Sequence, residues 1–375
     1  MKLLVTTIGT VLALCCGDSS LHAAKPGDLP PNFVILLSDD QSWVGSSVLM
    51  DPVDERTRSD YFRTPHLERL AKRGMLFSQG YAPAPFCCPT RRSLLVGQSP
   101  ARHIYQKDQK NWTANYRKQL SLPQMLKHTN PAYQTAHFGK WHMGGQRDVD
   151  DAPPITAYGF DVSLTNFEGM GPKLLPLTIA PGQTSPKKIW AGAERLGDGY
   201  RWQLRSEITR GFADAALGFI EGSVAADKPF YLNVWPADVH SPFWPPLEQW
   251  GDGKRARYLA VLEEMDLQLG RLFTRIEQDP KLRNNTLVII CSDNGPEPGA
   301  GTAGPLRGYK TQLFEGGVRS PLVIWGPGLV EGTGRVNRAS VFSAIDLVPS
   351  LLEITRTPAP TDAGFDGEAL APILL

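Results

Sequence analysis

Net charge, cysteine and long apolar runs are all scarce in this sequence, and each scarcity excludes something. Lysine and arginine number 39 against 38 aspartates and glutamates, a formal charge of +1. Such a balance lacks the basic surplus that nucleic acid or an acidic membrane surface would select, so neither is expected as a partner. Of five cysteines, Cys15 and Cys16 fall in the N-terminal segment. Cys87, Cys88 and Cys291 remain, an odd number that makes no disulfide framework. Past residue 24 no stretch is long and apolar enough to span a bilayer. The first segment has its own explanation. Lys2 gives a short positive start, Leu3 to Cys16 is uncharged and largely apolar, and small residues follow to Ala23 and Ala24. That pattern reads as a cleaved export signal over 1–24, placing the mature chain in a secreted or periplasmic setting. A lipoprotein anchor at Cys15 or Cys16 ranks lower, because Leu14 is bulky where such signals want a small residue.

What is present is an alternation of short apolar runs and amphipathic segments, the pattern of an α/β protein. Strands are expected at Asn32–Leu37, Met75–Phe77, Tyr133–Phe138, Pro229–Trp235, Thr286–Cys291 and Pro321–Trp325. Thr64–Arg73 opens with Thr-Pro, an N-cap and first-turn pair, and Gly74 ends it. Further helices are expected at Leu122–His128, Ile208–Ile220 and Arg257–Glu277. In the last of these Tyr258, Leu262, Met265, Leu269, Leu272 and Ile276 make one apolar stripe. Pro172–Gln203, rich in Gly, Pro and Lys, reads as a long surface loop.

Chemistry gathers at three places. Asp39-Asp40 follows the first strand, and Asp293-Asn294 follows the strand ending at Cys291. Open α/β sheets put ligands at such strand ends, and oxygen donors without His or Cys suit a hard cation, calcium or magnesium, better than zinc. The third place is Cys87-Cys88-Pro89-Thr90-Arg91, the first turn of a helix that Gly97 closes. A helix N-terminus with Arg91 beside it is an anion site. On these grounds Cys87 or Cys88 is either a nucleophile of low pKa or an inert buried thiol.

Cys87-x-Pro89-x-Arg91, followed by Leu95 and Gly97, resembles the signature of the type I sulfatases, the formylglycine-dependent, arylsulfatase-like family of the alkaline phosphatase superfamily. Other segments are similar to family landmarks in the same order: NFVILLSDDQ from Asn32, GKWHMGG from Gly139, PADVHSPFWPP around His240, SDNGPE from Ser292, LRGYKTQLFEGGVRSP from Leu306, SAIDLVPSLLEI from Ser343 and the closing DGEALAPIL. The resemblance implies a mostly parallel central sheet with helices on both faces. It also implies a catalytic domain over 25–375, with the family's small C-terminal domain reduced or missing.

It further implies that Cys87 is oxidised by a maturase to formylglycine, whose hydrate attacks sulfur. Asp39, Asp40, Asp293, Asn294 and residue 87 would bind calcium (magnesium being possible), with Asp293 as base toward the attacking hydroxyl. Arg91 and Lys140 would stabilise charge, His240 and Lys310 would face the leaving oxygen, and His142 would accept the later proton. Lys140, His240 and Lys310 would also contact the substrate, a sulfated small molecule or glycan. Two departures stand out: Val96-Gly97-Gln98 replaces the usual Thr-Gly-Arg, and the polar residue some members place after Gly159-Phe160 has no clear counterpart beyond Thr165 and Asn166. Alternatives are a phosphodiesterase or phosphonate monoester hydrolase of the same superfamily, or a non-catalytic binder of sulfated glycans.

Overall fold

The computed structural model describes residues 30–102, 119–144, 152–166, 168–190, 192, 199–331 and 334–375. The export segment 1–24 lies outside the described residues. Thirteen strands are present among them: β1 Asn32–Ser38, β2 Met75–Phe77, β3 Gly80–Tyr81, β4 Gln134–Gly139, β5 Val162–Thr165, β6 Lys173–Thr178, β7 Lys187–Lys188, β8 Tyr200–Leu204, β9 Phe230–Trp235, β10 Thr286–Ser292, β11 Leu322–Trp325, β12 Arg335–Asn337 and β13 Phe342–Ser343. Eleven of them form one sheet, in the order β12-β2-β11-β10-β1-β9-β4-β5-β6-β7 with β8 also on β6. Its centre, from β10 through β6, is parallel throughout, while β11 and β7 run antiparallel to their neighbours.

Side chains alternate faces along a strand, and β1 shows it. Val34 and Leu36 join a core shared with α1 (Pro65–Ala71), α4 (Ile208–Ala225) and α5 (Gly253–Gln278). Phe33, Ile35 and Leu37 join the opposite core with α2 (Cys87–Val96), α3 (Leu122–Thr129) and α8 (Leu347–Thr355), the helices α6 (Pro280–Asn285) and α7 (Glu315–Val318) being short. Both faces of β1 are therefore dry, which is why its sequence is apolar without interruption. No helix among the described residues is long and apolar enough to cross a membrane.

Two local expectations are corrected. Pro172–Gln203 is not a loop throughout: β6 and β8 at its ends pair in parallel over five positions, and Leu174 and Leu175 are fully buried, while residues 181–188 between them are mostly exposed. Pro176 and the lysines of this sheet margin hide the strand in the sequence, since Pro and Lys are tolerated near edges. Thr64 does precede α1 but makes no side-chain cap. The open amides of that helix are met instead by Asp266 of α5, whose carboxylate accepts from His66 and Leu67 N–H at 2.9 Å each.

Candidate active site

Register does the first assembly step. In the parallel β1/β10 pair Ser38 lies opposite Ser292, so the residues that follow each strand emerge together. Asp39, Asp40, Asp293 and Asn294 are all fully buried there. The Asp40 N–H donates to Asp293 Oδ1 at 3.1 Å, and Asn294 Nδ2 donates to Asp40 Oδ1 at 2.7 Å. Asp40 holds a left-handed backbone, φ 60°, which Asp tolerates better than most residues. Ser292 Oγ accepts from Gln41 N–H and Ser320 Oγ accepts from Ser292 N–H, so a serine lattice fixes both turns.

Cations enter from the neighbouring elements. Arg91, in the second turn of α2, is fully buried; its Nε and one terminal nitrogen donate to Asp293 Oδ2 at 3.0 and 2.6 Å, and its other terminal nitrogen donates to the Lys140 carbonyl at 2.9 Å. The same guanidinium is 3.4 Å from Asp39 Oδ1 and lies over the Trp235 ring. Lys140, just past β4, donates to Asp39 Oδ2 at 2.7 Å, and Lys310 donates to Asp40 Oδ2 at 2.7 Å. Three buried carboxylates thus face three cations, which is what makes burial of such charges tolerable.

Cys87 opens α2 and sits among these groups, its Sγ 3.8 Å from Asp40 Oδ1. Potential ligand atoms of Asp39, Asp40, Cys87 and His240 all lie within 4.8 Å of one another. Burial first, and then the charges of Asp293, Asp39 and Asp40, push the Cys87 thiol well above its ordinary pKa. A thiolate nucleophile is therefore disfavoured here, against one of the two options the sequence left open. Cys88 is likewise pushed up, chiefly by burial, and Cys87, Cys88 and Cys291 are all free thiols.

The protonation pattern follows from the same geometry. Lys140 counteracts burial and holds Asp39 well below the usual carboxylate range. Asp293 moves the other way, up to about 7, through burial and the neighbouring Asp39 charge, although Arg91 opposes it. His240 follows β9; its Nδ1 lies 2.6 Å from the Ser241 carbonyl, a contact that requires the proton on Nδ1 and leaves Nε2 facing Asp40 Oδ2 at 3.8 Å. His142 also has a left-handed backbone, φ 57°, and burial with Lys140 and Arg91 drives its imidazole well below the normal value.

The fold thus brings every sequence-derived candidate to the C-terminal ends of the central strands or to the α2 N-terminus. Asp293 and Asp40 each have both oxygens engaged by protein, Asp293 through Arg91 and the Asp40 amide and Asp40 through Asn294 and Lys310, whereas Asp39 Oδ1 has no hydrogen-bond partner. Glu168 was missed by the sequence reading. It follows β5, is almost fully buried, and places Oε1 3.9 Å from His142 Nε2. The strand-end rule that found the other acids would have found it, had β5 been recognised. Thr165 and Asn166, at the same strand end, are buried as well. A separate cleft of about 580 Å³, lined by Phe138, Val162, Lys173, Tyr200 and Phe219 among others, contains none of the candidates.

Residues 31–357 match the family model described as Sulfatase. The N-acetylgalactosamine-6-sulfatase of Canis lupus familiaris is 30% identical over 391 residues, covering 98% of this chain and 70% of that protein. Arylsulfatase G of Mus musculus is 26% identical, covering 92% of this chain and 69% of its own length. Among solved structures, Ps i-CgsB in complex with k-i-k-neocarrahexaose superposes with a TM-score of 0.73 at 25% identity, covering 92% of this chain and 76% of that one. An acid-and-cation cluster closed by a Cys-x-Pro-x-Arg helix, together with a family match across most of its length, makes this chain a member of the sulfatase family, the sulfuric ester hydrolases.

Proposed function

We propose that this chain removes sulfate from a sulfated glycan or aryl sulfate, using formylglycine made from Cys87 by a maturase, and that it does so beside a bound calcium ion. The observation that carries this reading is the position of Cys87: its sulfur lies within a cage of buried carboxylates that suppresses the thiolate, at the N-terminus of a helix that favours an anion. Such a residue gains reactivity by chemical conversion rather than by ionisation. The names of the relatives support a sulfated sugar, one being an N-acetylgalactosamine-6-sulfatase and one solved neighbour holding a neocarrahexaose.

The donor set fits a hard cation. Asp39 Oδ1 and Asn294 Oδ1 are buried with no hydrogen-bond partner, unusual for such atoms and natural for metal ligands. Asp39, Asp40, Asp293, Asn294 and residue 87 would hold calcium, with magnesium the alternative. Bound calcium would act as a Lewis acid toward a sulfate oxygen and offset the carboxylate charge.

The chain's own groups do the rest. Arg91 and Lys140 offset charge that builds on the equatorial oxygens. Lys310 and His240 face the departing oxygen, to which His240, in its doubly protonated form, gives the Nε2 proton. Asp293 receives the proton of the attacking group, and His142 accepts the one lost in the following step. The 1–24 segment supports export, and residues 25–375 the catalytic domain.

Two measurements test the reading. In protein from its natural host, the Cys87 peptide is expected to be lighter than the thiol form, since conversion removes sulfur and two hydrogens and adds oxygen. Side-by-side assays should favour sulfate esters over phosphate diesters and phosphonate monoesters; an unmodified Cys87 or a dominant phosphodiesterase activity would overturn the proposal.

A further inference from the structure

We infer that Glu168 is the proton partner of His142, a positioning residue that acts through the imidazole rather than on the substrate. This inference rests on the reading above, in which His142 accepts a proton. Glu168 Oε1 is 3.9 Å from His142 Nε2, while Oε2 is buried with no hydrogen-bond partner, as is His142 Nδ1. Two side chains that face each other through Oε1 and Nε2, each with its other polar atom buried and unpartnered, form a half-satisfied network, the arrangement expected at a functional site. The left-handed backbone at His142 points to the same conclusion, because strain of that kind persists where the surroundings enforce a side-chain direction.

The electrostatics explain why a partner is needed. Lys140, Arg91 and His240 face His142 and oppose a proton there, while Asp39 favours it. Around Glu168 stand Lys140, Arg91, Asp39 and Lys173, yet burial dominates and raises its carboxyl to about 7. Lys173 is held off on the Thr165 hydroxyl and the Gly169 carbonyl. A proton reaching His142 is therefore better held across the His142–Glu168 pair than on the ring alone. The transfer is a proton only: it leaves the imidazole nitrogen for the Glu168 carboxylate and then solvent, and the ring returns to its neutral form.

The test uses calcium-loaded protein carrying Cys87→Ala, so that no turnover enters the first readout. Carboxyl ¹³C NMR follows the titration of Glu168, assigned by its loss in Glu168→Gln. If the two residues are partners, His142→Gln raises the Glu168 midpoint by about one unit or more, a tenfold change in proton affinity; an unmoved midpoint overturns the inference. In the Cys87-containing enzyme, Glu168→Gln is expected to lower kcat about 10- to 100-fold with little change in KM. A burst of phenol release from an aryl sulfate should precede the slow phase, and Glu168→Asp should recover part of the loss. Slow release without a burst overturns it. If wild-type protein cleaves no sulfate ester, the sulfatase reading fails while the titration still decides the pairing.

Discussion

Asp40 donates its backbone N–H to the Oδ1 of Asp293 across 3.1 Å, so the two turns are locked to each other through the protein itself. That bond is a direct consequence of register: with Ser38 opposite Ser292, the residue two past one strand meets the residue one past the other. The cluster is therefore built at the ends of two adjacent, completely buried strands of the sheet's centre. A preorganised acid cluster of this kind spends little binding energy on ordering itself, and its electrostatic cost is relieved when a cation arrives.

Metal should stabilise the fold increasingly as pH rises. The folded-state pKa of Asp293 is raised to about 7, so its favourable contribution is complete below the unfolded carboxylate value and disappears as pH climbs through 7. Asp39 has the opposite sign: held low, it contributes above the unfolded value and is lost only in stronger acid, so it does not cancel the Asp293 effect between pH 5 and 8. Calcium requires the ionised forms. Scanning calorimetry with calcium and with a chelator should show a Tm difference that widens from pH 5 to pH 8. At a hundred times Kd the gain is about 2.7 kcal/mol. A gap that narrows with pH would contradict this account.

Arg91 should be as much a structural residue as a catalytic one. Its removal leaves Asp293 buried with its main cation gone, a change that costs about 3–5 kcal/mol when one partner of a buried pair is deleted. Arg91→Met should lower the denaturation midpoint sharply and abolish turnover. Adding Asp293→Asn should restore much of the stability and none of the activity, as read by urea titration alongside the esterase assay. Arg91→Lys keeps the charge but loses the fork that reaches Asp293 and the Lys140 carbonyl together, so it should fold and turn over poorly.

The parts of the site that were legible in the sequence are those set by short-range pattern. Uninterrupted apolar runs reveal β1 and β10 because both faces of each strand are covered, and the acids just beyond them then fall at a strand end. Glu168 was not legible for the complementary reason. Its strand β5 has only four residues, the first of them exposed Val162, and it lies among prolines and glycines. Strand β6 contains Pro176 and a buried lysine, and its partner β8 starts with exposed Tyr200 and Arg201, so neither shows a clean period. The cap of α1 was hidden by distance: Asp266 is 200 residues from the His66 amide that it accepts from, and no local motif records it.

That distant cap makes its own prediction. Asp266→Ala should destabilise the fold by about 1–2 kcal/mol, the usual worth of a helix N-cap at the strong end, because two buried amide contacts are lost. Thr64→Ala, at the position the sequence favours, removes only the Thr64 Oγ1 bonds with the Ser47 N–H and hydroxyl and should cost less. Neither change reaches the acid cluster, so kcat on an aryl sulfate should stay within about twofold, the range of ordinary remote substitutions. Equal losses from the two variants would mean that the cap is local after all.

His240 should reveal itself through the leaving group. Its Nδ1 is committed to the Ser241 carbonyl, so Nε2 is the only ring atom free to hand over a proton, and it faces the cluster beside Lys310. Proton donation matters when the departing oxygen is basic, as in a sugar alkoxide, and matters little when it is a nitrophenolate that leaves unaided. His240→Ala should therefore cost about 10²–10⁴ in kcat for a sulfated sugar, the typical worth of a general acid. For nitrophenyl sulfate the loss should be under about tenfold, since only positioning is lost there. Lys310→Ala weakens charge neutralisation for both substrates, so its losses should be more nearly equal. A linear free-energy series of aryl sulfates separates the two: its slope should steepen for His240→Ala and change less for Lys310→Ala. An unchanged slope for His240→Ala would remove the general-acid role and leave the imidazole as a binding group.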